Sequence, residues 1–324
     1  MHRLKIWRQL TRVQPVYEEA QVLAGRVAED FLHQLVRSNL KYKEAYCFIG
    51  KRVPSVKDKR RYEVDLIVFT KKQLHVIEVK NWSGELFIRN GSWVQRKKSG
   101  EEVEHQDLAQ YNARKMQALT QYLEENGVEI PLGFIRQTVL FMHPRLRMSP
   151  EIAEHPNVIP RGLLDAYLKS QRGSSMAERM LHSVVEACLS MENSKVVLDG
   201  LFSALHSKQL KAAIAALSEL HTWDRLCLYG GKVEQGDMIA LTVNGQCIDL
   251  KAMPAGESID VKWVRGKLWS LVWALITKWP MGTVKYRGQK LIPDIESDSV
   301  HFHRVGYPTP EKISLERLTW LRRG

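Results

Sequence analysis

Acid is in short supply in this chain. Its 324 residues hold 36 Asp and Glu against 48 Lys and Arg, a formal charge of +12. Such a surplus favours polyanionic partners, and on charge alone nucleic acid and membrane phosphate are equally acceptable. Cysteine is scarce too. Cys47, Cys188, Cys227 and Cys247 show neither C-x-x-C nor zinc-ligand spacing, so no dense disulfide framework is implied. The expected compartment is a reducing one, intracellular and cytoplasmic or nuclear. No G-x-x-x-x-G-K-S/T loop, G-x-G-x-x-G turn or G-x-S-x-G elbow is present. NTPase, dinucleotide-binding and serine-hydrolase readings therefore lose their usual support. His301 and His303 have no nearby third ligand at a recognisable spacing. No secretory h-region occupies the first residues. Residues 1–17 instead carry Arg3, Lys5, Arg8 and Arg12 with no acid and no serine. That pattern suits a basic N-terminal arm better than a mitochondrial presequence.

What is present is concentrated in Tyr62–Lys80, YEVDLIVFTKKQLHVIEVK. Val64–Phe69 and Leu74–Val79 are rich in Val, Ile, Leu and Phe and read as strands. The four residues between them suit a hairpin loop. If Phe69 pairs with Leu74, Asp65 lies opposite Glu78, and Glu78 and Lys80 share a face. A slip of one residue would send the two acids to opposite faces. Carboxylates about 5 Å apart repel by about 3 kcal/mol at an effective dielectric of 20. Lys80 offsets part of that, and a hard divalent cation such as Mg²⁺ or Mn²⁺ removes more. Such an arrangement suits a metal held beside a phosphate. The competing reading is a surface hairpin with solvated charges, which the apolar flanks disfavour.

Val22, Gly25, Glu29, Leu32 and Val36 follow helical spacing, which places Glu29 within an apolar stripe. Gln106–Leu123 forms a second amphipathic helix. Gln110, Arg114, Gln117 and Gln121 line one side of it, and Leu108, Leu119 and Tyr122 mark another. The polar side either faces a phosphodiester backbone, with Arg114 on a phosphate, or is solvated surface. Basic clusters flank the hairpin in sequence: Lys51-Arg52, Lys57 with Lys59, Arg60 and Arg61, and Arg96-Lys97-Lys98. These are the candidate nucleic-acid contacts.

The ordered set of Glu29, Asp65, Glu78-Val79-Lys80-Asn81, Gly84 and Gln110 resembles the nuclease-related (NERD) domain of the PD-(D/E)xK restriction-endonuclease-like superfamily. The resemblance covers about residues 20–145. The family often has Asn-Pro where this chain has Gln106-Asp107. The resemblance implies a metal-dependent nuclease acting on DNA or RNA. Asp65 and Glu78 would ligate Mg²⁺ or Mn²⁺ with the Val79 carbonyl, and Lys80 would orient water or stabilise charge. Glu29 would hold a metal-bound water or a second metal. Gln110 would position the backbone or Lys80. The alternatives are a nucleic-acid-binding module without meaningful turnover, and an adaptor or membrane-associated protein acting through its C-terminal part.

The order of elements fits an α/β sandwich with a mixed sheet. A helix at 17–37 precedes the hairpin. A strand at 93–95, the Gln110 helix, and strands at 134–142 and 157–159 follow it. Given the resemblance, the expected fold is α/β, a restriction-endonuclease-like mixed sheet flanked by helices, with a smaller β-rich domain after it. Helices are expected at 163–171, 175–189 and 200–220. The boundary is set near residue 220, giving domains 1–220 and 221–324. In the second, Asn244-Gly245 is a type I′ hairpin signal between 237–243 and 246–251. Weaker strands are read at 258–264, 283–286 and 299–304. Residues 267–279, KLWSLVWALITKW, are apolar on nearly all helical sides but too short to span a bilayer. They read as a buried helix or as a membrane-surface or protein-partner contact.

Overall fold

The computed structural model describes residues 2–39, 46–57, 60–70, 73–131, 133–171, 207–265, 272 and 281–324. The helix expected at 175–189, the candidate contact Lys59 and nearly all of 267–279 lie outside the described residues. The chain divides into two compact units, Ala24–Leu220 and a second made of Met1–Leu23 with His221–Gly324.

In the first unit a five-stranded sheet has the order β1-β2-β3-β7-β9. Its strands are β1 (Tyr46–Ser55), β2 (Arg60–Phe69), β3 (Leu74–Lys80), β7 (Ile135–Phe141) and β9 (Val158–Ile159). The β1, β2 and β3 neighbours are antiparallel, whereas β3–β7 and β7–β9 are parallel. Central β3 is buried along Leu74–Val79, as a strand covered on both faces should be. Helix α3 (Leu108–Glu125) lays Ala118, Leu119 and Leu123 on one face, against Ile67, Phe69, Leu74 and Val76. Helix α6 (Ser207–Glu219) joins the same layer through Ala213, Ala216 and Leu217. Helices α2 (Ala20–Asn39) and α5 (Leu164–Gln171) cover the other face, where Leu32, Val36 and Leu168 meet Leu66, Val68, Ile77 and Val79. A four-stranded sheet, ordered β6-β5-β4-β8, lies alongside: β4 (Gly84–Arg89), β5 (Ser92–Arg96), β6 (Glu102–His105) and β8 (Leu146–Met148). A short helix α4 (Pro150–Ala153) follows β8. The fold is thus mixed α/β, with flanking helices.

Two features depart from a regular hairpin. Strand β1, not foreseen from sequence, pairs with the outer side of β2, with Pro54 on this edge strand where a missing N–H is tolerated. Its ladder runs Ile49↔Leu66 and resumes at Lys51↔Val64, skipping Gly50 opposite Asp65. Gly50 has φ +57°. Tyr62 and Val64 pack in the same core as Ile67 and Phe69, which strict alternation would forbid. The sheet changes phase at the Gly50–Asp65 rung.

The second unit is antiparallel. Its sheet runs β15-β14-β13-β18-β10-β11-β16-β17, with β12 on β11. These are β10 (Asp224–Leu228), β11 (Val233–Val243), β12 (Gln246–Ile248), β13 (Ser258–Trp263), β14 (Gly282–Tyr286), β15 (Gln289–Leu291), β16 (Ser299–Arg304), β17 (Glu311–Ser314) and β18 (Leu318–Arg322). Asn244 and Gly245, at φ +53° and +70°, close the expected hairpin with Val243 opposite Gln246. The N-terminal 23 residues, grouped by sequence with the first domain, belong here. Leu10 of α1 (His2–Arg12) packs with Met281 and Ile295. Val16 exchanges backbone bonds with Tyr229 and Lys232, and the Val233 N–H donates to Glu18 at 3.0 Å. These partners lie too far away in sequence to register in a local pattern. Among the described residues, no helix is long and apolar enough to cross a membrane.

Candidate functional site

The hairpin register decides the site. The ladder pairs Phe69↔Leu74 through Leu66↔Ile77 and ends there, with Asp65 and Glu78 the next residue along each strand. The Asp65 carboxylate accepts the Val79 N–H at 2.8 Å through Oδ2. The Lys80 ammonium donates to Glu78 Oε1 at 2.6 Å. Lys115, from α3, donates to Glu78 Oε2. Glu78 therefore lies between two ammonium groups. The Lys80 side chain is 25% exposed and that of Lys115 is 5% exposed.

The two acids titrate in opposite directions. Burial, and then the Glu78 charge, push the Asp65 carboxyl up to about 7, against the pull of Lys115, Lys80 and the Val79 N–H. Burial also opposes ionisation of Glu78. The charges and hydrogen bonds of Lys115 and Lys80 outweigh it and bring that carboxyl below its ordinary value. For Lys80 burial is opposed by Glu78, Asp65 and Glu29, and its pKa is raised.

Glu29 is half-buried on α2, and its charge reaches Lys80. The buried line of α2 is Ala28, Leu32 and Val36, while Val22 is 50% exposed. The stripe read from sequence is therefore displaced. A Cβ on Gly25 would meet nothing within 4 Å, so no close helix–sheet approach depends on it. Val79 turns its side chain into the α2 face of the sheet.

The structure does not bring Gln110 to the acids. Asp107 caps α3 by accepting the Gln110 N–H at 3.0 Å, and the helix starts at Leu108 rather than Gln106. Gln110 is exposed and accepts from Arg114 at 3.5 Å. With Arg114, Gln117, Gln121, Ser55 and Lys57 it lines a groove of about 390 Å³. Five residues along a helix turn the side chain by about 140°, so Gln110 and Lys115 cannot share a face. The inward face is fixed by buried Asn112, which donates to the carbonyls of Val76 at 3.2 Å and Thr138 at 3.1 Å. Lys115 follows three residues later on that side. Its signal was legible: Leu108, Lys115 and Leu119 share an apolar stripe that has no ordinary use for a lysine.

The predicted phosphate contacts divide. Arg96 is tied to Glu102 and Glu85, and Lys97 to Glu101. Arg60 donates to the Tyr62 hydroxyl at 2.7 Å. Arg61, Lys98 and Arg114 are exposed. Two histidines not selected from sequence lie close to the cations. His105 stacks on Trp82 with centroids 4.0 Å apart, and burial, then Lys80 and Lys97, lower its pKa. His143 follows β7, and its pKa is lowered by burial, then by Arg145 and Lys98.

Comparison with curated proteins and with solved structures found no match. The family model of the nuclease-related domain (NERD) matches residues 24–142, the stretch that carries Asp65, Glu78, Lys80 and Lys115.

Proposed function

We propose that the nuclease-related domain hydrolyses phosphodiester bonds of DNA or RNA with a bound Mg²⁺ or Mn²⁺. The observation that carries this reading is the gathering of Asp65, Glu78 and Lys80 at the C-terminal end of the central strand. Among the described residues no group of three or more His, Cys, Asp or Glu side chains is disposed around a metal position. The acids nevertheless fit a hard cation in kind. Among the described residues Asp65 Oδ1 has no hydrogen bond, and a divalent charge would relieve the Glu78 repulsion that adds to burial in raising the Asp65 pKa. Asp65, Glu78 and the Val79 carbonyl would hold the ion, with Glu29 as a further acid. When bound, such an ion polarises a phosphoryl oxygen and lowers the pKa of water.

Glu78 holds both ammonium groups in place. The more accessible Lys80 presents its charge to a phosphoryl oxygen, where it neutralises charge developing in the transition state. Lys115 remains buried and fixes Glu78. A cleavage panel of single- and double-stranded DNA and RNA with Mg²⁺ or Mn²⁺ tests the assignment. Asp65→Ala and Lys80→Ala should each lower cleavage by about 100-fold or more. Asp65→Ala should also weaken metal binding. Full activity in Asp65→Ala removes the catalytic assignment.

A second reading is a nucleic-acid-binding module without turnover. The contact from Lys115 favours it, because Glu78 then has an ammonium group on each oxygen and a metal must compete for it. Salt-dependent binding with no cleavage anywhere in the panel selects this reading.

A further inference from the structure

Two turns meet beside the strand end that carries Lys80. Gly84 is their common point. A Cβ there would lie 2.1 Å from the Arg96 carbonyl oxygen and 3.3 Å from the Lys97 Cα, so the end of β5 passes directly against it. The Gln95 side chain adds a bond to the Ser83 carbonyl at 2.8 Å. The turn that follows, closed by the Gly100 N–H on the Lys97 carbonyl at 2.9 Å, presents Lys98. On the other side, the Met142 N–H donates to the Lys80 carbonyl at 2.8 Å, and the chain continues into His143 and Arg145. The Arg145 N–H donates to His143 Nδ1 at 3.2 Å. Leu146 then pairs with Gly84 itself.

Three basic side chains are thereby collected just beyond the C-terminal ends of the parallel pair β3–β7, where open α/β sheets commonly bind ligands. The nearby acids are already engaged: Glu85 with Arg96 and Arg147, and Glu101 with Lys97. Among the described residues, neither Lys98 nor Arg145 has an ion pair, and both are exposed. His143 feels both charges. Like charges held together without an acid favour an anion between them.

We propose that Lys98, His143 and Arg145 form a seat for the phosphodiester backbone of a nucleic-acid strand, next to the phosphate that reaches Lys80. The proposal rests on the nuclease-related reading for its substrate class, and it is sequence-independent, since phosphate contacts position a strand without reading bases. The exposed positions of Lys98 and Arg145 allow both to be replaced without disturbing packing.

The test measures binding of a labelled single-stranded oligonucleotide to the full chain across a salt series, with chelator present so that cleavage does not intervene. The Lys98→Ala, Arg145→Ala double variant should weaken binding at least several-fold. It should also reduce the slope of log affinity against log salt by about 1.4, the share of two phosphate contacts on a single strand. Lys285→Ala with Lys312→Ala, which removes two exposed charges from the β-rich unit, should leave the slope unchanged. An unchanged slope in the first variant overturns the seat, as does an equal loss in both. Wild-type protein that binds anionic lipid vesicles but no oligonucleotide overturns it as well. Absence of cleavage with metal, alongside the expected slope change, would sink the nuclease reading and leave the seat standing.

Discussion

Asp65 and Glu78 follow the last paired rung of one hairpin yet answer pH with opposite sign. The folded pKa of Asp65, about 7, lies above its unfolded value, so the folded chain keeps a proton there that the unfolded chain releases. Its stabilising share is present below about pH 4 and is lost as pH rises to about 7. Asp65→Asn should therefore melt higher than the wild type at pH 8, with the gap closing towards pH 5. Glu78, with a lowered pKa, contributes stability above its unfolded value that is lost as pH falls through the folded one. Glu78→Gln should melt lower at pH 8, and acid should narrow the difference. Thermal melts of both variants across pH check the two signs together. Lys115→Met removes one of the two ammonium groups on Glu78. It should cost about 3 kcal/mol by urea unfolding, since a buried charge loses a partner. It should also move the acid limb of any cleavage profile to higher pH, because Lys115 holds both carboxyl pKa values down. Asp65, Glu78 and Lys80 were legible because acids and a lysine interrupt apolar strands. Lys115 was legible in the same way, as a lysine on the apolar stripe of α3, but the polar stripe of that helix looked the more functional.

At the scale of elements, the hairpin was predictable because a four-residue loop and two apolar runs leave one register that buries both. The partner on its outer side was not. Strand β1 contains Gly50, Lys51, Arg52 and Pro54, which weaken any local strand signal. That strand supplies the rung at which β2 changes phase. Gly84 shows the same limit. The sequence marks it as a glycine soon after Lys80, whereas its reason is the Arg96 carbonyl lying against it and its φ of +94°. Gly84→Ala should destabilise the domain by about 3 kcal/mol or more, since strain and overlap with backbone add. Urea unfolding gives the value. A change below about 0.5 kcal/mol, the ordinary range for surface sites, would mean that β5 does not pass so close.

At the scale of the whole chain, the β-rich unit includes the first 23 residues. Deleting them removes Leu10 from its cluster and takes Val16 and Glu18 from Tyr229, Lys232 and Val233. Limited proteolysis should then cut within 221–324 at protease levels that leave the full chain intact. Equal resistance would show that the N-terminal segment contributes nothing to that unit. Local order along the chain was enough to indicate strand and helix types, the Asn244-Gly245 turn and the acid–lysine set, because each depends on neighbours a few residues apart. Folding in three dimensions chose Lys115 over Gln110 as the α3 residue at Glu78. It also shifted the phase of β2 at Asp65 and joined α1 to residues more than 200 positions away. Those outcomes depend on which faces meet, and burial and charge pairing across distant segments are settled only once the segments pack.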